Sequence, residues 1–251
     1  MKMKFLILTG LFLVTLPVMA QSDAMFNAGK EAYKAENYQE AIDTWKQIIE
    51  NGEESPELYF NLGNAHYKLN KIGPSIYYYE KARILDPNDN DIKNNLAFAE
   101  NARIDVIEPL PQTVFKTWYK RISGVTDFDG WATAGVVFSF CFVLLFLAYY
   151  FSASERRKRI LFATSVVSLF LLIASVSMAF TTYSDFQNDN PAIVFSEKVE
   201  VKDAPSVGGE VNFVIHEGTK VQVMDRETDW VRIRLADGKD GWIPSADIKE
   251  L

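Results

Sequence analysis

Two long apolar stretches organise the middle of the chain. They run over 131–151 and 160–180, and each contains 21 residues without a charged side chain. As a helix, a stretch of this kind is about 31 Å long, which matches a hydrocarbon core of about 30 Å. A core helix of a soluble protein would carry a polar stripe at this length, and neither stretch has one. The pattern predicts transmembrane helices over 131–151 and 160–182.

A shorter apolar stretch lies near the N-terminus, over 5–18. Two lysines precede it, and a small residue, Ala20, follows it before a polar segment. This order is typical of a secretory signal. We expect a signal peptide over 1–20 that is cleaved after Ala20; the alternative is an uncleaved anchor.

The segment between the two predicted spans carries four consecutive positive charges, Arg156, Arg157, Lys158 and Arg159. Short loops rich in lysine and arginine stay in the cytoplasm. We therefore expect a cytoplasmic loop over 152–159. Together with the secretory signal, this loop places the parts of the chain before and after the spans in the same extracytoplasmic compartment.

A linker over 105–130 leads into the first span and contains an amphipathic segment. An apolar face at helical spacing accompanies several basic residues; the members are Val114, Phe115, Trp118, Tyr119 and Ile122, with Lys116, Lys120 and Arg121. The pattern predicts a helix that lies along the membrane surface. The alternative is a short helix that packs on its own protein.

The segment before this linker repeats itself every 34 residues. "MFNAGKEAYKAE" from Met25 and "YFNLGNAHYKLN" from Tyr59 share five identical positions. The helical spacing predicts two antiparallel helix pairs and a capping helix, over 24–36 and 38–50, 56–69 and 74–85, and 90–103. Pro87 ends the second pair because proline removes a backbone donor and clashes with the preceding turn.

Small residues mark the predicted helix contacts. Gly29 and Gly63 fall where the two helices of a unit meet, and Trp45 and Tyr79 are expected to fill the gap towards the next unit. The segment "NLGNAHYKLNKIGPSIYYYEKARILDPND" resembles the tetratricopeptide repeat family, and the resemblance implies a helical repeat domain over 21–104. Each pair in such a stack buries its apolar face on a neighbour. Two units and a cap are therefore expected to need support from a partner or a second copy.

Stacks of this family have a concave groove lined by the first helix of each unit. By helical spacing from the two glycines, the groove residues are Phe26, Lys30, Tyr33, Lys34, Phe60, Asn64, Tyr67 and Lys68, with Asn94 and Phe98 in the cap. Aromatic rings beside lysine and asparagine suit an extended peptide, and a carboxylate on that peptide would suit the lysines. The alternative is that some of these are ordinary repeat residues or solvated charges. His66 is expected to fill the core between helices.

After a linker over 183–191 the pattern changes to short β-strands separated by turns. Apolar and polar residues alternate in them, which predicts a small barrel over 192–251. The segment "EGTKVQVMDRETDWVRIRLADGKDGWIPSADI" resembles the bacterial SH3 family. Trp230 and Trp242 are the candidate ligand face; the alternative is that either ring mainly plugs the barrel. His216, beside a turn, is expected to be exposed and inert.

Composition narrows the function classes. The chain has 26 basic and 33 acidic residues, a net charge of −7, so electrostatics do not favour a nucleic acid. One cysteine and two histidines exclude an intrachain disulfide and argue against a zinc cluster. We find no phosphate-binding glycine loop, nucleophile elbow or HExxH motif. We therefore expect no enzyme, no cofactor and no metal.

The order of the parts gives the fold class: a multidomain membrane protein with an all-α tetratricopeptide stack, two transmembrane helices and an all-β SH3-like barrel. This order resembles the BatE proteins of the Bacteroides aerotolerance operon. The resemblance implies a multi-pass protein of the bacterial inner membrane, with the repeat and SH3-like domains in the periplasm. It implies as partners membrane proteins with von Willebrand factor A domains and a MoxR-type ATPase, gathered by a scaffold in envelope-stress tolerance. The alternative function is a tethered cell-wall module whose barrel binds peptidoglycan.

Overall fold

The computed structural model describes residues 21–251, so the predicted signal peptide lies outside the described residues. Within 21–251 the chain forms eight α-helices, one 3-10 helix and seven β-strands. These elements divide into two compact units: the described residues up to Pro109 together with Asn190–Leu251, and Leu110–Asp189. The predicted fold class is confirmed, with a helical repeat stack, two long apolar helices and an antiparallel SH3-like sheet.

Five helices form the repeat stack of the first unit. They are α1 (21–34), α2 (Tyr38–Glu50), α3 (Pro56–Lys68), α4 (Ile72–Leu85) and α5 (Asn90–Asn101). The turns inside the two repeat units have the same backbone conformation, since Glu36 and Asn70 are both left-handed, with φ of 63° and 56°. The 34-residue period of the sequence is thus a period of the structure as well.

Two of these helices begin at side-chain caps. The hydroxyl of Ser55 accepts a hydrogen bond from the N–H of Leu58 at 3.1 Å, and Pro56 opens α3. The carboxylate of Asp89 accepts the N–H groups of Asp91 and Ile92 at the start of α5. A cap of this kind stabilises a helix by about 1 kcal/mol, so the helix starts are fixed by local chemistry.

Each repeat unit is closed by an aromatic ring lying on a glycine. A Cβ added to Gly29 would lie 2.3 Å from the indole nitrogen of Trp45, and one added to Gly63 would lie 2.6 Å from the ring of Tyr79. The glycines therefore lie at helix contacts, as predicted. The two rings do more than fill a gap towards the next unit, because each packs on the glycine of its own unit. The indole of Trp45 also donates to the carbonyl of Phe26 at 3.1 Å.

The C-terminal part of the first unit is a seven-stranded antiparallel sheet. Its strands are β1 (Pro191–Val194), β2 (Lys198–Lys202), β3 (Val211–His216), β4 (Lys220–Glu227), β5 (Trp230–Arg234), β6 (Asp240–Pro244) and β7 (Ile248–Glu250). They are ordered β3-β2-β6-β5-β4-β1-β7, and the 3-10 helix Ser245–Asp247 precedes β7. Alternate residues point inward, as in Val231 and Ile233, and form the barrel core. The predicted half-buried strands are confirmed.

The barrel packs directly on the repeat stack. Ile193 of β1 is fully buried in one cluster with Ile72 and Ile76 of α4 and Leu96 of α5. The ring of Phe195 lies 5.4 Å from that of Tyr77 in an edge-to-face arrangement. The extra support that two repeats were expected to obtain from a partner or a second copy therefore comes from the chain's own barrel.

Two glycines let the backbones of stack and barrel approach. A Cβ on Gly73 of α4 would lie 2.7 Å from the carbonyl oxygen of Val194. Gly218, in the turn between β3 and β4, has φ of +81°, and its Cβ would lie 2.9 Å from Ile76. The N–H of Gly73 also donates to the carboxylate of Glu217 at 3.1 Å. Both the turn and the close contact require glycine at these positions.

A buried charge joins α4 to the barrel. The side chain of Glu80 is 3 % exposed and accepts a hydrogen bond from the ammonium of Lys220 at 2.7 Å. The guanidinium of Arg83, one turn further along α4, also bonds this carboxylate. A buried charge is tolerated only when it is paired. The ion pair between Glu80 and Lys220 therefore links α4 to β4 of the barrel.

The segment after α5 joins the barrel through Asp105. Its carboxylate accepts hydrogen bonds from the backbone N–H of His216 at 2.6 Å and from the hydroxyl of Thr219 at 2.7 Å, and it lies 2.9 Å from the ring nitrogen Nδ1 of His216. Burial acts to raise the pKa of Asp105, but these hydrogen bonds outweigh it and hold the pKa below its usual value. The prediction that His216 is exposed and inert is wrong.

Three helices form the second unit: α6 (Val114–Ser123), α7 (Phe128–Phe151) and α8 (Glu155–Asn188). The last two are long and apolar enough to cross a membrane, and few of their residues are buried within the unit. The expected loop over 152–159 is shorter than predicted, because α8 begins at Glu155 and contains the four basic residues. Arginine and lysine favour helix, so the basic run continues the helix instead of interrupting it.

Small residues lie between α7 and α8. The hydroxyl of Ser168 donates to the carbonyl of Phe138 at 2.9 Å, and Ser165 and Ser175 are buried. A Cβ on Gly135 would come within 3.2 Å of Val176. Close packing through small residues and interhelical hydrogen bonds is how helices associate in lipid. Small residues thus let α7 and α8 pack closely.

Candidate functional site

The first repeat unit contributes aromatic and basic side chains to the predicted groove. Phe26 and Tyr33 are half-buried, with ring centroids 6.4 Å and 6.2 Å from that of Trp45. The ammonium of Lys30 lies 5.7 Å from the centre of the Phe26 ring. Lys34 is exposed and pairs with Glu31 at 2.7 Å. The two aromatic residues are thus partly structural, and the two lysines face solvent.

The second repeat unit of the predicted groove differs from the first repeat unit at one position. Phe60 is half-buried beside Tyr79, at 5.9 Å between ring centroids. Asn64, which takes the place of Lys30, accepts hydrogen bonds through its carbonyl from the Tyr79 hydroxyl at 2.6 Å and the Asn95 amide at 3.1 Å. Asn64 therefore joins α3, α4 and α5 and is committed to the stack.

The remaining groove candidates are free at the surface. Tyr67 is 39 % exposed and Phe98 is 64 % exposed, while Lys68 and Asn94 are also exposed. The rings of Tyr67 and Phe98 are thus accessible to a ligand. In the capping helix α5 it is Asn95, next to the predicted Asn94, that hydrogen-bonds to Asn64 of the groove.

Two clefts open along the N-terminal ends of the first helices of the units. One, of about 370 Å³, is lined by Pro56, Glu57, Phe60, Asp86, Asp89, Asp91 and Ile92. The other, of about 240 Å³, is lined by Ser22, Asp23, Phe26, Ile48, Glu53, Glu54, Ser55, Glu57 and Leu58. Each cleft has a groove phenylalanine among its lining residues, and Glu57 belongs to both. The clefts therefore continue one another along the stack.

Carboxylates surround these phenylalanine rings. Asp23, Glu57 and Asp91 recur at the 34-residue period, and none of them forms an ion pair within residues 21–251. Asp86 and Asp89 accept backbone N–H groups of the loop and of α5. No group of three or more such side chains in the described part of the chain is arranged to hold a metal ion. The N-terminal end of the groove is thus strongly negative.

Sequence reasoning did not pick out these acidic residues. Helical spacing counted from the glycines selects the inner face of each first helix, whereas Glu57 and Asp91 lie in first turns and Asp86 lies in a loop. The repeat period was the signal that could have found them, because it places a carboxylate three residues before Phe26 and before Phe60. The charge of the groove is consequently split between carboxylates and lysines.

The predicted ligand face of the barrel lies on its outer surface. Trp230 pairs across the sheet with Pro244, and Trp242 pairs with Arg232. Both tryptophans are half-buried and neither belongs to the barrel core. The alternative that Trp230 mainly plugs the barrel is therefore wrong, and the same holds for Trp242.

Positive charges accompany the two tryptophans. The ammonium of Lys202 lies 5.8 Å from the Trp230 ring centre, and Lys202 pairs with Trp242 across β2 and β6. The guanidinium of Arg232 is held by Asp240 at 2.7 Å. Amphipathic rings beside fixed cations suit a ligand that has both an apolar part and a carboxylate.

His66 has a packing role, as expected. Its side chain is 4 % exposed, its ring is stacked 5.3 Å from that of Tyr78, and neither ring nitrogen has a hydrogen-bond partner among residues 21–251. Burial lowers the pKa of His66 to about 3, and the positive charges of Lys46, Lys71 and Lys249 act in the same direction. A neutral, enclosed imidazole is no acid–base catalyst at neutral pH.

Two family models match parts of the chain. A model of the bacterial SH3 domain matches residues 197–249, and a tetratricopeptide repeat model matches residues 56–89. The first covers the barrel from β2 onward, and the second covers the second repeat unit. No curated protein matches the chain closely enough to count as a relative. The chain thus combines a tetratricopeptide repeat with a bacterial SH3 domain, modules that are typically non-catalytic and serve interactions.

Proposed function

We propose that this protein is a non-enzymatic, membrane-anchored scaffold that binds protein partners through its repeat groove. The observation that carries this proposal is the union of stack and barrel. Their mutual contact uses α4, β1 and the β3–β4 turn, and it leaves Tyr67, Phe98 and the two acidic clefts uncovered. A packed unit with open binding surfaces is suited to holding partners.

The same union supports the proposed topology. The stack precedes the two apolar helices and the barrel follows them, yet both belong to one compact unit. Two parts in direct contact share a compartment, so the chain between them crosses a membrane an even number of times. With α7 and α8 as spans and the basic start of α8 in the cytoplasm, both domains lie in the periplasm of a bacterial inner-membrane protein.

A reporter that is active only in the periplasm tests this topology. Fused after Leu251 it should be active, and inserted after Ala153, between α7 and α8, it should be inactive. Replacing the four basic residues of α8 by serine should reduce the bias in orientation without abolishing insertion, because apolarity drives insertion and charge sets orientation. Activity of the reporter after Ala153 would contradict the two-span arrangement.

The negative clefts indicate the chemistry of the partner. In the first repeat unit the ammonium of Lys30 lies over the ring of Phe26. The second repeat unit has Asn64 in place of that lysine. The ring of Phe60 can therefore accept a cation from a ligand. Carboxylates rim this ring, and cations bind aromatic faces more strongly when desolvated. We therefore expect an extended segment that carries a lysine or arginine at Phe60 and apolar residues towards Tyr67 and Phe98.

The order of the parts extends the proposal to a specific complex. Because it resembles that of BatE proteins, the partners would be membrane proteins with von Willebrand factor A domains, whose periplasmic segments would occupy the groove. A MoxR-type ATPase would join the complex from the cytoplasm. The complex would serve envelope-stress tolerance, including aerotolerance.

Charge reversal in the clefts tests the groove. The double variant Glu57→Lys with Asp91→Lys should lose the partners that co-purify with the full chain from native membranes, because it repels a cationic segment. A matched control is Glu40→Lys with Asp43→Lys, which makes the same charge change on exposed positions of α2. Circular dichroism should show equal helicity for both.

A second double variant tests whether the ligand is acidic instead of cationic. Tyr67→Ala with Lys68→Glu removes the aromatic anchor and the basic charge at the other end of the groove. If this variant loses the partners while the reversed clefts retain them, the ligand is acidic and the cationic assignment is wrong. If both variants retain every partner, the groove is not the binding site.

A second candidate function rests on the barrel. Trp230 and Trp242 beside Lys202 and Arg232 suit the stem peptides of peptidoglycan, which combine apolar groups with carboxylates. Under this proposal Trp242→Ala should abolish retention of the full chain on purified sacculi, and the groove variants should retain it. Retention by Trp242→Ala equal to that of the unaltered chain would remove this candidate.

A further inference from the structure

Helix α6 presents an apolar face that is largely exposed within its unit. None of its ten residues is buried. Val114 and Phe115 are each 84 % exposed and Trp118 is 64 % exposed. At 3.6 residues per turn these side chains share one side of the helix. Tyr119 and Ile122 are half-buried, so α6 touches its own unit on one flank while the side chains of Val114, Phe115 and Trp118 stay exposed.

Lys116 and Lys120 lie on the opposite side of α6, and Arg121 lies at the border of the apolar side, because seven residues are close to two full turns from Val114. Lys116, Lys120 and Arg121 are all exposed, and none of them forms an ion pair with another residue of 21–251. The helix itself is well formed, since the hydroxyl of Thr113 accepts the N–H of Lys116 at 3.3 Å at its start. A stable helix with an exposed apolar side and cationic residues around it has the pattern of an interfacial segment.

Contacts inside the second unit hold α6 at one end of the helix pair. The hydroxyl of Tyr119 donates to the carboxylate of Asp185 at 2.6 Å, near the C-terminal end of α8. Phe128, the first residue of α7, lies 5.4 Å from Tyr183 and 5.5 Å from Phe186 between ring centroids. Aromatic residues at this end of two apolar helices are typical of the membrane–water interface.

We propose that α6 is an interfacial helix that binds an anionic phospholipid surface. Its apolar side inserts at the boundary of headgroups and acyl chains, and its three basic residues contact the headgroup phosphates. Covalent continuity with α7 and the bond to α8 place α6 where a bilayer surface would be, and its charge complements anionic lipid. This inference rests on the membrane anchoring proposed above.

Fluorescent labels on single cysteines of the full chain in nanodiscs test the inference. In a Cys141→Ser background, an environment-sensitive dye is attached at Trp118→Cys on the apolar side or, as the matched control, at Thr117→Cys on the polar side. We expect a blue-shifted emission and strong quenching by spin-labelled acyl chains at position 118, and neither at 117. Equal quenching at the two positions would overturn the interfacial placement.

The native Cys141 separates this inference from the anchoring on which it rests. It lies within α7, so a dye on it should be quenched by acyl-chain spin labels if α7 spans the bilayer. Absence of quenching at Cys141 would overturn the anchoring and the inference together. Quenching at Cys141 without quenching at position 118 would overturn the inference alone.

Lipid composition tests the charge. Quenching at position 118 should be greater in an equal mixture of phosphatidylcholine and phosphatidylglycerol than in phosphatidylcholine alone. The triple variant Lys116→Glu, Lys120→Glu and Arg121→Glu should lose this difference while the quenching of the Cys141 label is unchanged. Identical quenching at position 118 in both lipids, with Lys116, Lys120 and Arg121 intact, would overturn the preference for anionic headgroups.

Discussion

Gly73→Val should destabilise the repeat–barrel unit by about 1–3 kcal/mol, the usual cost of overpacking. The added side chain would begin 2.7 Å from the carbonyl oxygen of Val194 and 3.1 Å from the amide nitrogen of Gly218, and backbone atoms cannot turn aside as a side chain can. For a unit of about this size the midpoint of thermal unfolding should fall by about 2–4 °C per kcal/mol. Hydrogen exchange of the α4 amides in the full chain should rise.

Alanine at Gly73 gives a test by sign. In a helix that faces solvent, Gly→Ala stabilises by about 1 kcal/mol, whereas here the Cβ meets Val194 and should destabilise. The control is Gly208→Val, in a loop where an added Cβ meets nothing within 4 Å. A raised unfolding midpoint for Gly73→Ala would mean that α4 does not touch the barrel.

Acidification from pH 7.5 to 5.0 should lower the free energy of unfolding by about 2 kcal/mol through His66 alone. The imidazole is neutral in the folded protein down to a pKa of about 3, because burial opposes its charge, while in the unfolded chain it takes up a proton near its ordinary pKa of 6.5. The unfolded state therefore binds more protons in this window, and stability falls as the pH falls. Denaturant titrations at the two pH values measure the effect.

His66→Phe is the matching control. It keeps an aromatic ring against Tyr78 and removes the group that takes up a proton. The loss of unfolding free energy between pH 7.5 and 5.0 should therefore be smaller by about 2 kcal/mol. The lowered pKa of Asp105 has its own window, because stability from that carboxylate is lost only as the pH falls below about 3.8. An unchanged slope in His66→Phe would show that the imidazole is already hydrated in the fold.

The helices of the stack and the strands of the barrel were predictable because their signals are local. A 34-residue period, capping residues such as Ser55 and the stop at Pro87 are read along the chain. The contact between α4 and β1 was not predictable in this way. Gly73 and Val194 are separated by the whole second unit, and helical periodicity shows that Ile72 and Ile76 face a core without showing what covers them.

The candidate site divides in the same manner. The aromatic groove positions Phe26 and Phe60 follow from the repeat, whereas the structural commitment of Asn64 depends on hydrogen bonds from two other helices. Charge was harder to interpret, because an isolated glutamate on a helix is usually solvated. Glu80 is buried between Arg83, one turn along the same helix, and Lys220, which lies 140 residues further along the chain.

The seating of the barrel on α4 has a consequence for biosynthesis. About 100 residues separate the end of α4 from the start of β1, and at about 5–20 residues per second the ribosome needs roughly 5–20 s to make them. During that interval the apolar surface of α4 has no barrel to cover it. A nascent or truncated chain that lacks the barrel exposes this surface of α4 to chaperones and proteases. The repeat domain is therefore protected from them only after the barrel has been synthesised.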